Sequence, residues 1–116
     1  MRKGSIRNEQ DVLDHLADKT DFEKAVLVVT YRIPKGKVST YSRVATAIGK
    51  PRSMRAVANA LHKNPLHPIV PCHRVVKSDG GFGGPRKGAD SRRRQVAAEG
   101  VPVKDGKVVI TDDILF

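Results

Sequence analysis

The sequence predicts a mainly α fold: a winged-helix-like helix-turn-helix domain with a short C-terminal β-hairpin. Three observations point there. Apolar residues recur at helical spacing behind residues that favour helix N-termini. Two short helical runs, Tyr41–Ile48 and Met54–His62, are joined by a tight turn containing Gly49. Near the end, Val101-Pro102-Val103 and Val108-Val109-Ile110 flank Lys104-Asp105-Gly106-Lys107, a hairpin signal.

The elements follow in order. Residues 1–8 are short, polar and basic and are expected to form a loose arm. Glu9 to Ala17 carries Val12, Leu13 and Leu16 at helical spacing, with Asn8 as N-cap. Thr20 or Asp21 caps the next helix, whose stripe is Phe22, Val26, Val29 and Ile33. Leu27 and Val28 widen it, which makes this helix central to the core. Pro34-Lys35-Gly36 ends it. Ser39 or Thr40 caps the Tyr41–Ile48 helix, with Val44, Ala45 and Ile48 inward, and Gly49 is a natural stop. Ser53 is placed to cap Met54–His62. Its apolar stripe is Met54, Val57, Ala58 and Leu61, and Arg55, Asn59 and His62 lie on a neighbouring polar stripe. That stripe is equally an ordinary solvated face or a surface for a polar partner.

From His67 to Val76 the chain reads as extended or irregular, because Pro68 and Pro71 oppose a regular helix. Ser78 to Gly88 holds five glycines and reads as a loop. Asp90 or Ser91 caps a helix running to Glu99, with Val96 and Ala97 inward and Arg92, Arg93 and Arg94 outward. Gly100 stops it. The 116 residues suit one domain, expected to span 1–116.

Composition narrows the function. Lys and Arg number 22 against 12 Asp and Glu, a net charge of +10 that favours a phosphate-rich partner. Aromatic residues are only 4%, too few for a base-stacking platform of the single-strand-binding kind. No apolar run approaches the roughly 20 residues that span a bilayer, and no secretory signal follows Met1-Arg2-Lys3. A soluble chain, cytoplasmic or nuclear in a eukaryote, is expected.

The single cysteine, Cys72, lies in Pro71-Cys72-His73-Arg74-Val75. One thiol forms no internal disulfide and is too few for a cysteine metal site. It is either a buried hydrophobe or a nucleophile. The adjacent imidazole and guanidinium favour the nucleophile, since positive neighbours stabilise a thiolate.

Taken in order, Thr40-Tyr41, Arg55-Ala56-Val57, Asn64-Pro65 and Pro71-Cys72-His73-Arg74-Val75 resemble the C-terminal domain of the O6-alkylguanine-DNA alkyltransferases. The resemblance covers roughly residues 20–100. It implies repair of O6-alkylguanine in double-stranded DNA by a methylated-DNA–protein-cysteine methyltransferase that flips the base and acts once. It implies that Cys72 attacks the alkyl carbon, that His73 serves as base through a bridging water, and that Glu99 orients His73. Asn64 would brace the active-site turn. Tyr41 would donate a proton toward the guanine and press on the phosphate backbone. Arg55, beside Ala56, would enter the base stack. Pro71 and Val75 would shape the pocket, with Ser78 and Arg86 among the residues meeting substrate or DNA. A monomer without cofactor or metal is expected, with other DNA-repair proteins as further partners.

Two main features, and one milder change at Ala58, depart from the family pattern. Members usually carry an extra N-terminal domain, and here about 20 residues precede the matching region, so a stand-alone domain is expected. Pro85 and Arg86 stand where many members have Tyr followed by Ser or Ala, and Ala58 replaces a usual Gly. These departures keep a second reading open, that of an alkyltransferase-like lesion sensor that binds without transfer. A third, a helix-turn-helix regulator with an inert cysteine, lacks any sign of a dimer interface.

Overall fold

Asn8, Thr20 and Thr40 each accept a hydrogen bond on the side-chain oxygen from a backbone N–H three residues on, and a helix follows each of them. The computed structural model describes residues 6–84 and 86–116. Helix α1 is Glu9–His15, α2 is Asp21–Tyr31, α3 is Tyr41–Ala47, α4 is Met54–His62 and α5 is Arg86–Ala98. At Thr20 the cap is reciprocal: Glu23 N–H donates to the hydroxyl and the Glu23 carboxylate accepts from Thr20 N–H, a capping box. The molecule is mainly helical, as expected. The predicted hairpin is present as β3 (Val103–Lys104) antiparallel to β4 (Lys107–Val108).

The core has two parts. Val12, Leu16, Val26, Leu27, Val44, Val57 and Val70, all at most 1% exposed, gather α1 to α4 around α2. Val38, Val76, Val96, Val101, Val108 and Ile114 form a second cluster under α5 and the hairpin.

A short parallel pair joins the two parts. Strand β1 (Ser39–Thr40) lies beside β2 (Val75–Val76), with Ser39 opposite Val75 and Thr40 opposite Val76. This pairing is invisible in the sequence, because two-residue strands carry no period. Its effect on the site is large. Thr40 is both strand residue and helix cap, so the pairing places Tyr41, the first residue of α3, beside the turn that ends in β2. The C-terminal segment braces the same edge, with Val38 N–H on the Ile114 carbonyl and Phe116 N–H on the Val38 carbonyl, each at 2.8 Å.

Several expectations are corrected. Residues 1–5 of the predicted arm lie outside the described residues, but the rest is not loose: Ile6 packs on the core, Arg7 N–H donates to Asp11 and Asn8 caps α1. Ser53 makes no capping bond, because its hydroxyl donates to the Lys50 carbonyl instead. Met54 is 46% exposed, since it sits at the helix start where α4 leaves the core. Ala97 is exposed, and Val96 alone of α5 is fully buried. Helix α5 begins at Arg86, several residues before the expected caps Asp90 and Ser91. Gly88 is accommodated within it, at the modest cost of a glycine in a helix.

One glycine is fixed by contact. At Gly80 the backbone takes φ +87°, and a Cβ would stand 2.2 Å from the Val108 carbonyl oxygen. Val108 N–H donates to the Gly80 carbonyl at 2.9 Å, so the loop after β2 is clamped to the hairpin.

Candidate active site

Residues 63–71, between α4 and the cysteine turn, have no regular structure, so their shape comes from particular hydrogen bonds. Asn64 supplies two of them. Its side-chain amide donates to the Val70 carbonyl at 2.8 Å and its oxygen accepts from Leu66 N–H at 2.9 Å. Leu66 and Val70 are buried, which anchors the loop at both points. Pro71 is buried, and Cys72–Arg74 then form one 3₁₀ turn, with Arg74 N–H on the Pro71 carbonyl at 2.9 Å. Cys72 is a half-buried free thiol, and Val75 is buried behind it.

His73 is 3% exposed and points the opposite way, into the protein. Its Nε2 lies 3.0 Å from Oε2 of Glu99, just beyond α5. Arg74 grips the same carboxylate with a fork, Nε to Oε1 at 2.9 Å and Nη2 to Oε2 at 2.7 Å, and Nη1 donates to the Ile33 carbonyl at 2.8 Å. These bonds set the charges. The Arg74 guanidinium, assisted by His73, holds the Glu99 carboxyl ionised and lowers its pKa from 4.5 to about 2, against the opposing effect of burial. Burial lowers the pKa of His73, and the hydrogen bond to Glu99 offsets part of that. A neutral ring beside an ionised carboxylate must carry its proton on Nε2, because the carboxylate only accepts.

Cys72 opens on a small cleft of about 210 Å³, lined also by Tyr41, Ala58, Leu61, His62, Asn64, Gly88 and Arg92. Arg92 does not point to solvent as its place in an arginine run suggested. Its Nε donates to the Gly88 carbonyl one turn back in α5, and its guanidinium also reaches the Gly83 carbonyl, which ties α5 to the glycine-rich loop. The other side of Tyr41 faces a wider depression of about 500 Å³, shared with Met54, Arg55, Lys77, Ser78 and Asp79. The structure therefore brings Cys72, Asn64 and Tyr41 to one cleft, and Arg55 and Ser78 to its neighbour. Ala56 is exposed on α4 and lines neither. Arg86 is exposed at the start of α5 and lines neither. Pro85 lies outside the described residues. Arg74, His67, His62 and Arg92 were missed as site residues. For Arg74 the signal in the sequence is only its place in the cysteine motif, next to His73, because its carboxylate partner lies 25 residues away.

A family model described as the DNA-binding domain of 6-O-methylguanine DNA methyltransferase matches residues 21–101. The chain belongs to this family. It is 48% identical over 71 residues to a methylated-DNA–protein-cysteine methyltransferase of Methanosarcina barkeri, covering 61% of this chain and 45% of that one. It is 46% identical over 77 residues to the bifunctional transcriptional activator/DNA repair enzyme Ada of Escherichia coli, covering 66% of this chain and 22% of that one. The chain spans less than half the length of these curated relatives. Among solved structures it is similar to S. pombe Atl1 in complex with damaged DNA containing O6-carboxymethylguanine. There the TM-score is 0.73 with 27% identity, over 83% of this chain and 94% of that one. The O6-methylguanine methyltransferase of Mycobacterium tuberculosis matches with TM-score 0.66 and 36% identity, over 73% of this chain and 53% of that one.

The carboxylate shared by Arg74 and His73 makes stability depend on pH. Its folded pKa lies below its ordinary value, so its contribution is complete above about 4.5 and is lost as pH falls toward 2. Glu99→Gln is expected to cost roughly 2–3 kcal/mol at pH 7, with the gap from wild type narrowing as pH falls through that window. Urea midpoints at pH 7 and pH 3 check this; a constant gap would show that Glu99 is not held ionised.

Proposed function

We propose that the chain repairs O6-alkylguanine in duplex DNA by a single transfer of the alkyl group to Cys72. The observation that supports this most is the arrangement around one turn. The thiol faces an open cleft with Tyr41 and Asn64, while the next residue, His73, is buried against an ionised Glu99. In the transfer, the Cys72 sulfur attacks the alkyl carbon, the S–C bond forms and the C–O6 bond breaks. His73 draws off the thiol proton through water, Tyr41 supplies a proton to the departing guanine, and the proton on His73 then returns to the Tyr41 phenolate through solvent, so the net result moves the thiol proton to the guanine. Glu99 stabilises the charged ring in between. No cofactor is required, and the thioether has no easy reverse, so each molecule acts once.

A paired guanine cannot bring its O6 substituent to a thiol set in a cleft. The base must leave the stack, at a cost of a few kcal/mol. Arg55 is exposed at the start of α4, beside the depression that adjoins the cleft, and is long enough to fill the vacated place. The net charge of +10 supplies attraction to the phosphate backbone and implies steep salt sensitivity. Ala58 and Gly88 keep two cleft walls low, which leaves room for a base and its adduct.

The likeness to the S. pombe Atl1 complex favours a second reading, in which the chain binds the lesion without transfer and other repair proteins act on the marked site.

Intact-protein mass spectrometry after incubation with duplex DNA carrying one O6-methylguanine separates the two. A gain of one methyl group, mapped to Cys72 and absent in Cys72→Ser, is expected. Lesion-selective binding with no mass gain would establish the sensor reading. Arg55→Ala should slow transfer from duplex by about tenfold or more while sparing reaction with free O6-benzylguanine, because free base needs no flipping. Equal losses on both substrates would remove Arg55 from that role.

A further inference from the structure

His73 has two ring nitrogens, and Glu99 accounts for one. The other is not open. Nδ1 of His73 lies 3.2 Å from Nε2 of His67, and the two rings meet edge to face with centroids 5.3 Å apart at 85°. Nothing in the sequence linked His67 to a site. It stands in the irregular segment between Leu66 and Val70, which Asn64 holds at both ends. The same bracing that shapes the cysteine turn therefore fixes the ring of His67.

The direction of this bond follows from the far end of the chain of groups. An ionised Glu99 only accepts, so His73 donates from Nε2. A neutral His73 then has a bare Nδ1, and the proton between the two rings must belong to His67 Nε2. His67 thus occupies, as a donor, the nitrogen on which a histidine base would take up a proton. Placing a proton there breaks or reverses the bond, so the neutral ring is favoured. Charged His67 would act in the same direction by repulsion.

We propose that His67 is a positioning residue for the proposed transfer: in the resting protein its N–H fixes the His73 tautomer that donates to Glu99 and keeps the ring neutral, and His67 releases Nδ1 when that nitrogen takes up the thiol proton. This rests on the reading of His73 as the base. The charged groups facing the pair are Glu99 from the end of α5 and Arg74 from the 3₁₀ turn, while the segment after α2 contributes the Ile33 carbonyl, already taken by Arg74. Glu99 favours the charged ring, and burial, Arg74 and His67 favour the neutral one.

The test compares wild type, His67→Ala and His67→Gln. The His73 ring is titrated by NMR without DNA, and single-turnover methyl transfer from O6-methylguanine duplex is followed against pH. Removing His67 is expected to raise the His73 midpoint by about half a pH unit or more. Less of the ring is then neutral at a given pH, so the acid limb of transfer moves to higher pH with it. Glutamine donates an N–H without titrating, and should return both toward wild type. An unmoved His73 midpoint in His67→Ala would overturn the proposal, even if the variant melts earlier. A wild type that takes up no methyl group would instead remove the transfer reading, while the NMR titration still decides the role of His67.

Discussion

A carboxylate that is only 15% exposed does not remain ionised unless its surroundings supply charge and hydrogen bonds. Glu99 receives both from Arg74, which lies 25 residues earlier in the chain. This pair is the constraint on which the rest of the site depends. It closes α5 onto the cysteine turn, and it fixes Arg74 against the Ile33 carbonyl beyond α2. It also decides what His73 can be. With the carboxylate satisfied twice by the guanidinium, the imidazole can remain a neutral donor, and its other nitrogen falls to His67. One residue of the turn therefore faces solvent as a thiol, and the next two are held inward by a shared carboxylate. A 3₁₀ turn, with three residues per turn, makes that division possible between neighbours.

The cleft in front of the thiol is assembled from elements far apart in sequence. The β1–β2 pair brings the start of α3, with Tyr41, against the end of the cysteine turn. Helix α4 lends Ala58, Leu61 and His62, and α5 lends Gly88 and Arg92. Gly84 shows how closely these meet. Its backbone takes φ +79°, and a Cβ there would stand 3.0 Å from Cε1 of His62 and 3.3 Å from Nη2 of Arg92. The glycine-rich loop is thus a wall shaped by two basic side chains.

The helices were legible because their signals are local. Thr20, Thr40 and Asn8 announce helix starts through chemistry confined to one turn, and the Val26–Leu27 stripe marks the face that meets the core. The cysteine motif was legible because five adjacent residues carry it. What was hidden depended on distance or on competition. The β1–β2 pair is too short to have a period. The start of α5 was obscured by Gly88, whose low propensity is outweighed by Arg92 tying the helix to the Gly83 carbonyl. Arg92 itself read as one of three solvated arginines, yet helical geometry turns it to the cleft, turns Arg93 to Asp90 and leaves Arg94 exposed. The Glu99–His73 pairing is implied only by family resemblance, and the guanidinium that keeps Glu99 charged comes from 25 residues earlier in the chain.

The fork of Arg74 on Glu99 sets the state of the histidine behind the thiol. Arg74→Lys keeps the charge and loses the fork, since an ammonium is a point donor. The measurement is the single-turnover rate of methyl uptake at Cys72 from O6-methylguanine duplex, with thermal unfolding recorded on the same samples. A folded variant whose uptake is slower by about tenfold or more agrees with the account. A folded variant that takes up methyl at the wild-type rate contradicts it.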